Sequence, residues 1–225
     1  MDQRQHDQRL VPLPRAAISP FAITTYNAAP GSNTTGSFYS FGAASSNERA
    51  FGAIGSGGTY YGSQANGAVC GWIAVSLTNG TADTLTDVTI GFDGEQWRDG
   101  GSSGVTPAAQ TMVLEYGFGA TFGAVTAWTA PGGAFNWSSP VITNTGGGAM
   151  VDGNDAGRVA GRGGTISNLA WEPGQTMWVR WVEVNDAGND HGLAIDNFSF
   201  SATPTPGAAA VLSFGMLAAT RRRRA

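Results

Sequence analysis

The run Thr176-Met177-Trp178-Val179-Arg180-Trp181-Val182-Glu183-Val184 decides the fold class. Apolar side chains occupy both of its parities, as in a central strand whose two faces are both covered. Around it, other stretches alternate with the two-residue period of a strand that faces a core on one side only. Val69, Gly71, Ile73, Val75 and Leu77 share one parity and stop at the turn pair Asn79-Gly80. Val88, Ile90 and Phe92 alternate with Thr89, Gly91 and Asp93, and Met112, Leu114, Tyr116 and Phe118 oppose Val113 and Glu115. Residues 37–41, 51–54, 125–129, 140–143, 165–169 and 193–201 add further strands, roughly ten altogether. No helical pattern lies between them to carry parallel crossovers. The expected architecture is therefore all-β, an antiparallel two-sheet sandwich that is jelly-roll-like. No repeat of fixed period appears, which excludes a propeller or solenoid.

Composition agrees. Glycine supplies 34 of 225 residues and charged residues only 12%, a mixture that suits many strands joined by tight turns. Apolar residues reach 41%, with seven Trp and eleven Phe, enough to build a core and to exclude wholesale disorder. No break in composition falls between residues 20 and 200, so one domain is expected over 21–202. The formal charge is −4, and all twelve basic residues are Arg, four of them at Arg221, Arg222, Arg223 and Arg224. The remainder is acidic and offers no basic stripe to a phosphate backbone, which disfavours nucleic acid as a partner. The single cysteine, Cys70, sits in the apolar run Val69-Cys70-Gly71-Trp72-Ile73 and reads as a small core residue.

The two ends differ from the body. Residues 1–20 begin polar and are interrupted by Pro12, Pro14, Arg15 and Pro20, so no secretory apolar segment is present. They are expected to be unstructured, or to reflect a start placed downstream of the true one. Residues 203–225 fall into three zones: Thr203-Pro204-Thr205-Pro206-Gly207, a small-and-apolar segment to Thr220 expected to form a short hydrophobic helix, and the arginine block. An apolar stretch followed by terminal positive charge has the physics of a stop-transfer element. The 14 residues from Gly207 to Thr220 fall short of the ~20 that span a bilayer core, so the anchor is weak or temporary.

The order of these zones resembles the PEP-CTERM sorting signal of exopolysaccharide-producing bacteria, with Thr205 where a Glu commonly stands between the prolines. The resemblance assigns Pro204, Pro206, Gly207 and Arg221 to Arg224 to the sorting signal. It implies export, a cell-surface or extracellular location, at least transient membrane anchoring, and an exosortase-type enzyme as partner. Ser46-Asn47-Glu48-Arg49-Ala50-Phe51-Gly52, Gly94-Glu95-Gln96-Trp97-Arg98 and Asp190-His191-Gly192-Leu193-Ala194-Ile195-Asp196-Asn197-Phe198 together resemble a domain of bacterial exported proteins, over about residues 20–202. The last of these is similar to the closing strand of calcium-binding jelly rolls, with Asp196 at the matching acid. That family implies a surface β-sandwich and no particular activity.

Within the body, Glu183 to Phe200 is the most informative segment. Oxygen-bearing side chains cluster there around a glycine-containing turn, and hard cations such as Ca²⁺ take six to eight oxygen ligands. Leu193 and Ile195 share one parity while Phe198 and Phe200 share the other, so a bulge is expected at Asp196-Asn197. Asp190 and Asp196 are candidate ligands of a structural calcium, with Asp186 and Asn189 beside them; a polar turn bonding its own backbone is the equal alternative. His191 has no second histidine near it in sequence and reads as a hydrogen-bonded structural residue. Nucleophile-elbow, zinc-protease, Walker and dinucleotide motifs are all missing from the sequence.

Three functions remain open. The first is a non-enzymatic surface or matrix protein that binds carbohydrate through exposed aromatics, with Trp97, Trp128 and Trp137 near turn residues as the stacking candidates. The second is an extracellular polysaccharide hydrolase using Glu95 with another acid such as Glu115. The third is a structural module whose only ligand is calcium.

Overall fold

The computed structural model of the chain describes residues 11–14, 26–102, 104–143 and 146–204. Among them are twelve strands: β1 (Val11–Pro14), β2 (Asn27–Ala29), β3 (Ser37–Phe41), β4 (Ala50–Ile54), β5 (Val69–Thr78), β6 (Leu85–Asp99), β7 (Thr111–Phe118), β8 (Trp137–Ser138), β9 (Ala149–Met150), β10 (Arg158–Ile166), β11 (Thr176–Val184) and β12 (Gly192–Pro204). The five-stranded sheet has the order β1-β5-β11-β7-β8. The seven-stranded sheet runs β10-β6-β12-β4-β3-β2, with β9 paired to the end of β6. The described helical elements are three short 3₁₀ turns, and none is long and apolar enough to cross a membrane. The apolar segment expected as a C-terminal helix, with Pro206, Gly207 and Arg221 to Arg224, lies outside the described residues; Pro204 closes β12.

The run that decided the fold class is β11, flanked by β5 and β7 and so interior to its sheet. Its inward residues Met177, Val179 and Trp181 are fully buried between the sheets. There the Trp181 indole meets Phe92 of β6 edge-on at 5.3 Å and Phe198 of β12 at 5.6 Å. Its outward residues are covered differently. The chain after β7 folds back across the sheet, so that Trp178 donates its indole N–H to the Gly119 carbonyl and the Arg180 guanidinium stacks 3.7 Å from the Trp128 ring centre. Arg180 also pairs with Glu115 of β7 at 2.5 Å. Apolar character at both parities thus reflects one face in the core and one beneath an aromatic cover.

Four expectations change. The ladder between β2 and β3 is parallel, because the chain between them arches over the sheet instead of forming a hairpin, held by Arg98 donating to the Gly31 carbonyl at 3.2 Å; the other named ladders are antiparallel. Residues 125–129 and 140–143 are not strands; only Thr129 forms a single bridge, to Tyr116. β1 lies inside the N-terminal stretch expected to be unstructured and pairs with β5, its prolines on an edge strand where a missing N–H costs little. Trp97 and Trp137, expected at the surface, are buried.

Their burial follows from the length of β6, which does not turn at Gly94 but continues to Asp99 between β12 and the β10–β9 side. Gly94 stands where a Cβ would lie 2.1 Å from the Trp137 ring, so the glycine makes room for a core tryptophan instead of marking a turn. Trp97 belongs to a second, smaller core on the far side of the same sheet, parallel to Phe41 at 6.4 Å and near Tyr39, Ile54 and Ala194.

Candidate functional site

The closing strand carries the bulge that its parity change required. Asp196 pairs with Asp93 but Ser199 pairs with Gly91, three residues against two, and Asn197 adopts a left-handed φ of 51°. Asn197 donates from Nδ2 to Asp93 Oδ2 at 2.9 Å. Asp196 is thereby set beside two further acids: Glu95 from β6 and Glu48 from the turn before β4. Oxygens of Glu48, Glu95 and Asp196 all lie within 4.8 Å of one another.

The three carboxylates sit in different surroundings. Glu48 is exposed and is steadied by Asn154 Nδ2 at 2.6 Å. Glu95 is 0% exposed; its Oε2 accepts the Trp97 indole N–H at 2.9 Å, while Oε1 is buried without a hydrogen-bond partner among the described residues. Burial pushes Glu95 up to about 7, reinforced by Asp196 and Glu48 against the Trp97 hydrogen bond. Asp196 is also raised, by burial and by Glu48 and Asp93. Asp93 goes the other way. Burial alone would raise it, but hydrogen bonds from Arg158 at 2.6 Å, the Gly161 N–H at 2.7 Å and Asn197 hold it below the usual carboxylate range.

A carboxyl pair this close, one member protonated near neutrality, is also the device of retaining glycosidases, whose acids stand ~5–5.5 Å apart. Here Glu95 is sealed beneath Trp97, which Gly153 covers so closely that a Cβ there would come within 2.3 Å of the indole. A sugar ring cannot reach such a group. The other acid considered with it, Glu115, is on the outer face of the opposite sheet, bound to Arg180.

Asp190 and Asp196 are not brought together. Gly192 to Asp196 alone spans ~13 Å of extended strand, against a Ca–O bond of about 2.3–2.6 Å. Asp190 instead accepts the Asp186 N–H on Oδ1 at 2.7 Å, and Asn189 donates to the Gly100 carbonyl at 2.9 Å, so this turn bonds its own and neighbouring backbone. His191, read as a hydrogen-bonded structural residue, is buried. Its Nε2 faces Asp99 at 3.3 Å and its Nδ1 faces Gln96 Nε2 at 3.1 Å; burial lowers its pKa despite Asp99. Cys70 is buried too, its thiol pushed up to about 12 by burial, which makes it a packing residue.

A second feature gathers where β4, β6 and β11 end. A cleft of about 670 Å³ is lined by Gln64, Asn66, Arg98, Asn185, Asn189 and Asp190, with glycine backbone between them. The amides are fixed in advance: Asn185 Nδ2 donates to the Gln64 carbonyl at 2.8 Å and approaches Asn66 Oδ1 at 3.3 Å. Burial pushes Asp190 up to about 7, with Asp186 adding to it. Glu183, 3% exposed and charge-coupled to both, is raised well above its ordinary value by burial. Tyr60, on the 3₁₀ turn between the lining stretches, is 40% exposed.

Sequence reasoning found Asp196 and its bulge and the cleft residues Asn189 and Asp190, all three as calcium ligands. Glu95 reads in the sequence only as a hydrolase acid beside Glu115, and Glu48 only as part of the segment Ser46 to Gly52. Trp128, the remaining stacking candidate, is half-buried with Arg180 on its ring. No protein-family model matches the chain, and the search of curated proteins finds no match.

Proposed function

We propose that this chain is an exported, non-enzymatic surface or extracellular-matrix protein whose jelly-roll-like β-sandwich binds polysaccharide in the cleft at the ends of β4, β6 and β11. The observation that carries the reading is the chemistry of that cleft. Its volume of about 670 Å³ falls in the range of small-molecule sites, yet its walls are mainly amides, hydroxyls, a carboxylate, a guanidinium and glycine backbone, with Ile54 and Ala65 as the apolar side chains. Such walls match a ligand that presents hydroxyl groups all round and little greasy surface. Hydrogen-bonded anchoring of Asn185 and Asn189 lowers the ordering cost of binding. Tyr60 offers the nearest exposed ring in sequence for stacking, the role first assigned to Trp97, Trp128 and Trp137.

The tail supports the location. Pro204, Pro206, Gly207 and the four terminal arginines read as a sorting signal for an exosortase-type enzyme, with transient membrane anchoring through the apolar stretch. Mass spectrometry of the mature protein is expected to find a chain that ends near Pro206; recovery of intact Arg224-Ala225 from the surface fraction would contradict processing.

Retention of the full chain on immobilised acidic and neutral polysaccharides tests the binding reading. Asn66→Ala and Tyr60→Ala, both at exposed positions, are each expected to weaken retention roughly tenfold without lowering the melting temperature. Unchanged retention in both, with loss in Trp128→Ala, would move the site to the outer face of the five-stranded sheet.

A further inference from the structure

We propose that Glu48, Glu95 and Asp196 form a binding site for a hard divalent cation of calcium type, on the outer face of the seven-stranded sheet and separate from the polysaccharide cleft. Two independent observations carry it. The first is convergence: three carboxylates from β6, β12 and the turn before β4 place oxygens within 4.8 Å of one another. Ligands on opposite sides of one Ca²⁺ stand up to about 4.6–5.2 Å apart, so the three oxygens are close enough together to share one such ion. The second is Glu95 Oε1, an acceptor in a fully buried side chain with no hydrogen-bond donor among the described residues. Leaving such an oxygen unpaired is costly, and every charged neighbour at the cluster except Arg158 is an acid.

The surroundings rule on alternatives. Arg158 spends its hydrogen bonds on Asp93, at 2.6 Å, and reaches Glu95 and Asp196 only through its charge. Asp93 is in turn saturated by Arg158, Gly161 and Asn197, which removes it from the ligand set. No histidine or cysteine contributes, so the donors are all hard oxygens, which select calcium-type ions over zinc or copper. The site has one exposed wall, Glu48, and therefore an entry path for an ion. Binding would tie Glu48 to the sheet, and through the Asn154 contact it would tie the segment covering Trp97.

Terbium provides the direct test, since Tb³⁺ occupies calcium oxygen sites and is sensitised by nearby tryptophan, and the Trp97 indole N–H bonds Glu95 itself. The full chain, freed of metal with chelator, is expected to show tryptophan-sensitised Tb³⁺ luminescence that Ca²⁺ displaces. Its melting temperature should rise by roughly 5–10 °C at a hundredfold excess of Ca²⁺ over its dissociation constant. Asp196→Asn and Glu48→Gln should each weaken terbium binding roughly tenfold or more. Glu48 is exposed, so Glu48→Gln reports on binding even if substitutions nearer the core disturb folding. Asp190→Asn, in the cleft, should leave terbium binding unchanged. Luminescence insensitive to Glu48→Gln and Asp196→Asn, loss on Asp190→Asn instead, or an equal thermal response to Mg²⁺ would each overturn the assignment. Polysaccharide retention is measured separately, so failure here leaves the cleft reading standing and the reverse holds too.

Discussion

The metal-free protein is expected to melt at a higher temperature at pH 5 than at pH 8, by roughly 5–10 °C. Three carboxyls cause the trend. Glu95 and Asp190 are pushed up to about 7 and Glu183 well above its ordinary value, each chiefly by burial. A carboxyl whose folded pKa exceeds its unfolded one holds a proton that unfolding releases. Its stabilisation is full below the unfolded pKa near 4 and disappears as pH climbs through the folded one, about 7 for Glu95 and Asp190. Glu95 is worth on the order of 2–3 kcal/mol across this window and the partly exposed Asp190 less, while Glu183 acts in the same direction. His191 opposes the trend, because its lowered pKa favours the native state at higher pH, but it is one group against three. Asp93, held below the usual range, loses its contribution only at pH values under the window. Calorimetry in chelator from pH 5 to 8 measures the slope, and Glu95→Gln should flatten it. A melting temperature that falls on acidification would contradict the burial of these acids.

The largest single-residue effect is expected at Trp181. Its indole fills the space between the sheets, fully buried against Phe92 and Phe198. Trp181→Ala should cost about 3–5 kcal/mol and lower the melting temperature by roughly 6–20 °C, because the two sheets cannot close over the void. Trp181→Phe should cost much less, since the indole N–H is buried without an acceptor and its removal ends an unpaired donor. Denaturant unfolding of both variants checks this. Equal losses would mean that the indole N–H has a partner.

What was legible in the sequence was what period and parity encode. The central run, the turn at Asn79 and the bulge at Asp196-Asn197 all stand where they were read. Asn79 is buried and its amide bonds the Asp83 and Trp171 carbonyls at 2.9 Å. What was not legible depended on which strands become neighbours. Gly94-Glu95-Gln96-Trp97-Arg98 contains a glycine and three polar residues and so reads as a turn. It is a strand because β12 pairs along one side of it and because Gly94 admits Trp137. The same pairing joins Glu95 to Asp196, 101 positions apart in sequence, and spacing along the chain carries no trace of that. Conversely Asp190 and Asp196, close in sequence, are separated by the very strand that connects them.

Entry of polysaccharide into the cleft at the ends of β4, β6 and β11 can be followed residue by residue in amide NMR spectra of the full chain during titration with an oligosaccharide. Shifts are expected to saturate and to concentrate at Gln64, Asn66, Asn185, Asn189 and the glycines between them. Shifts confined to Trp72, Trp128 and Trp178 on the opposite sheet, or none with any acidic or neutral oligosaccharide, would contradict it.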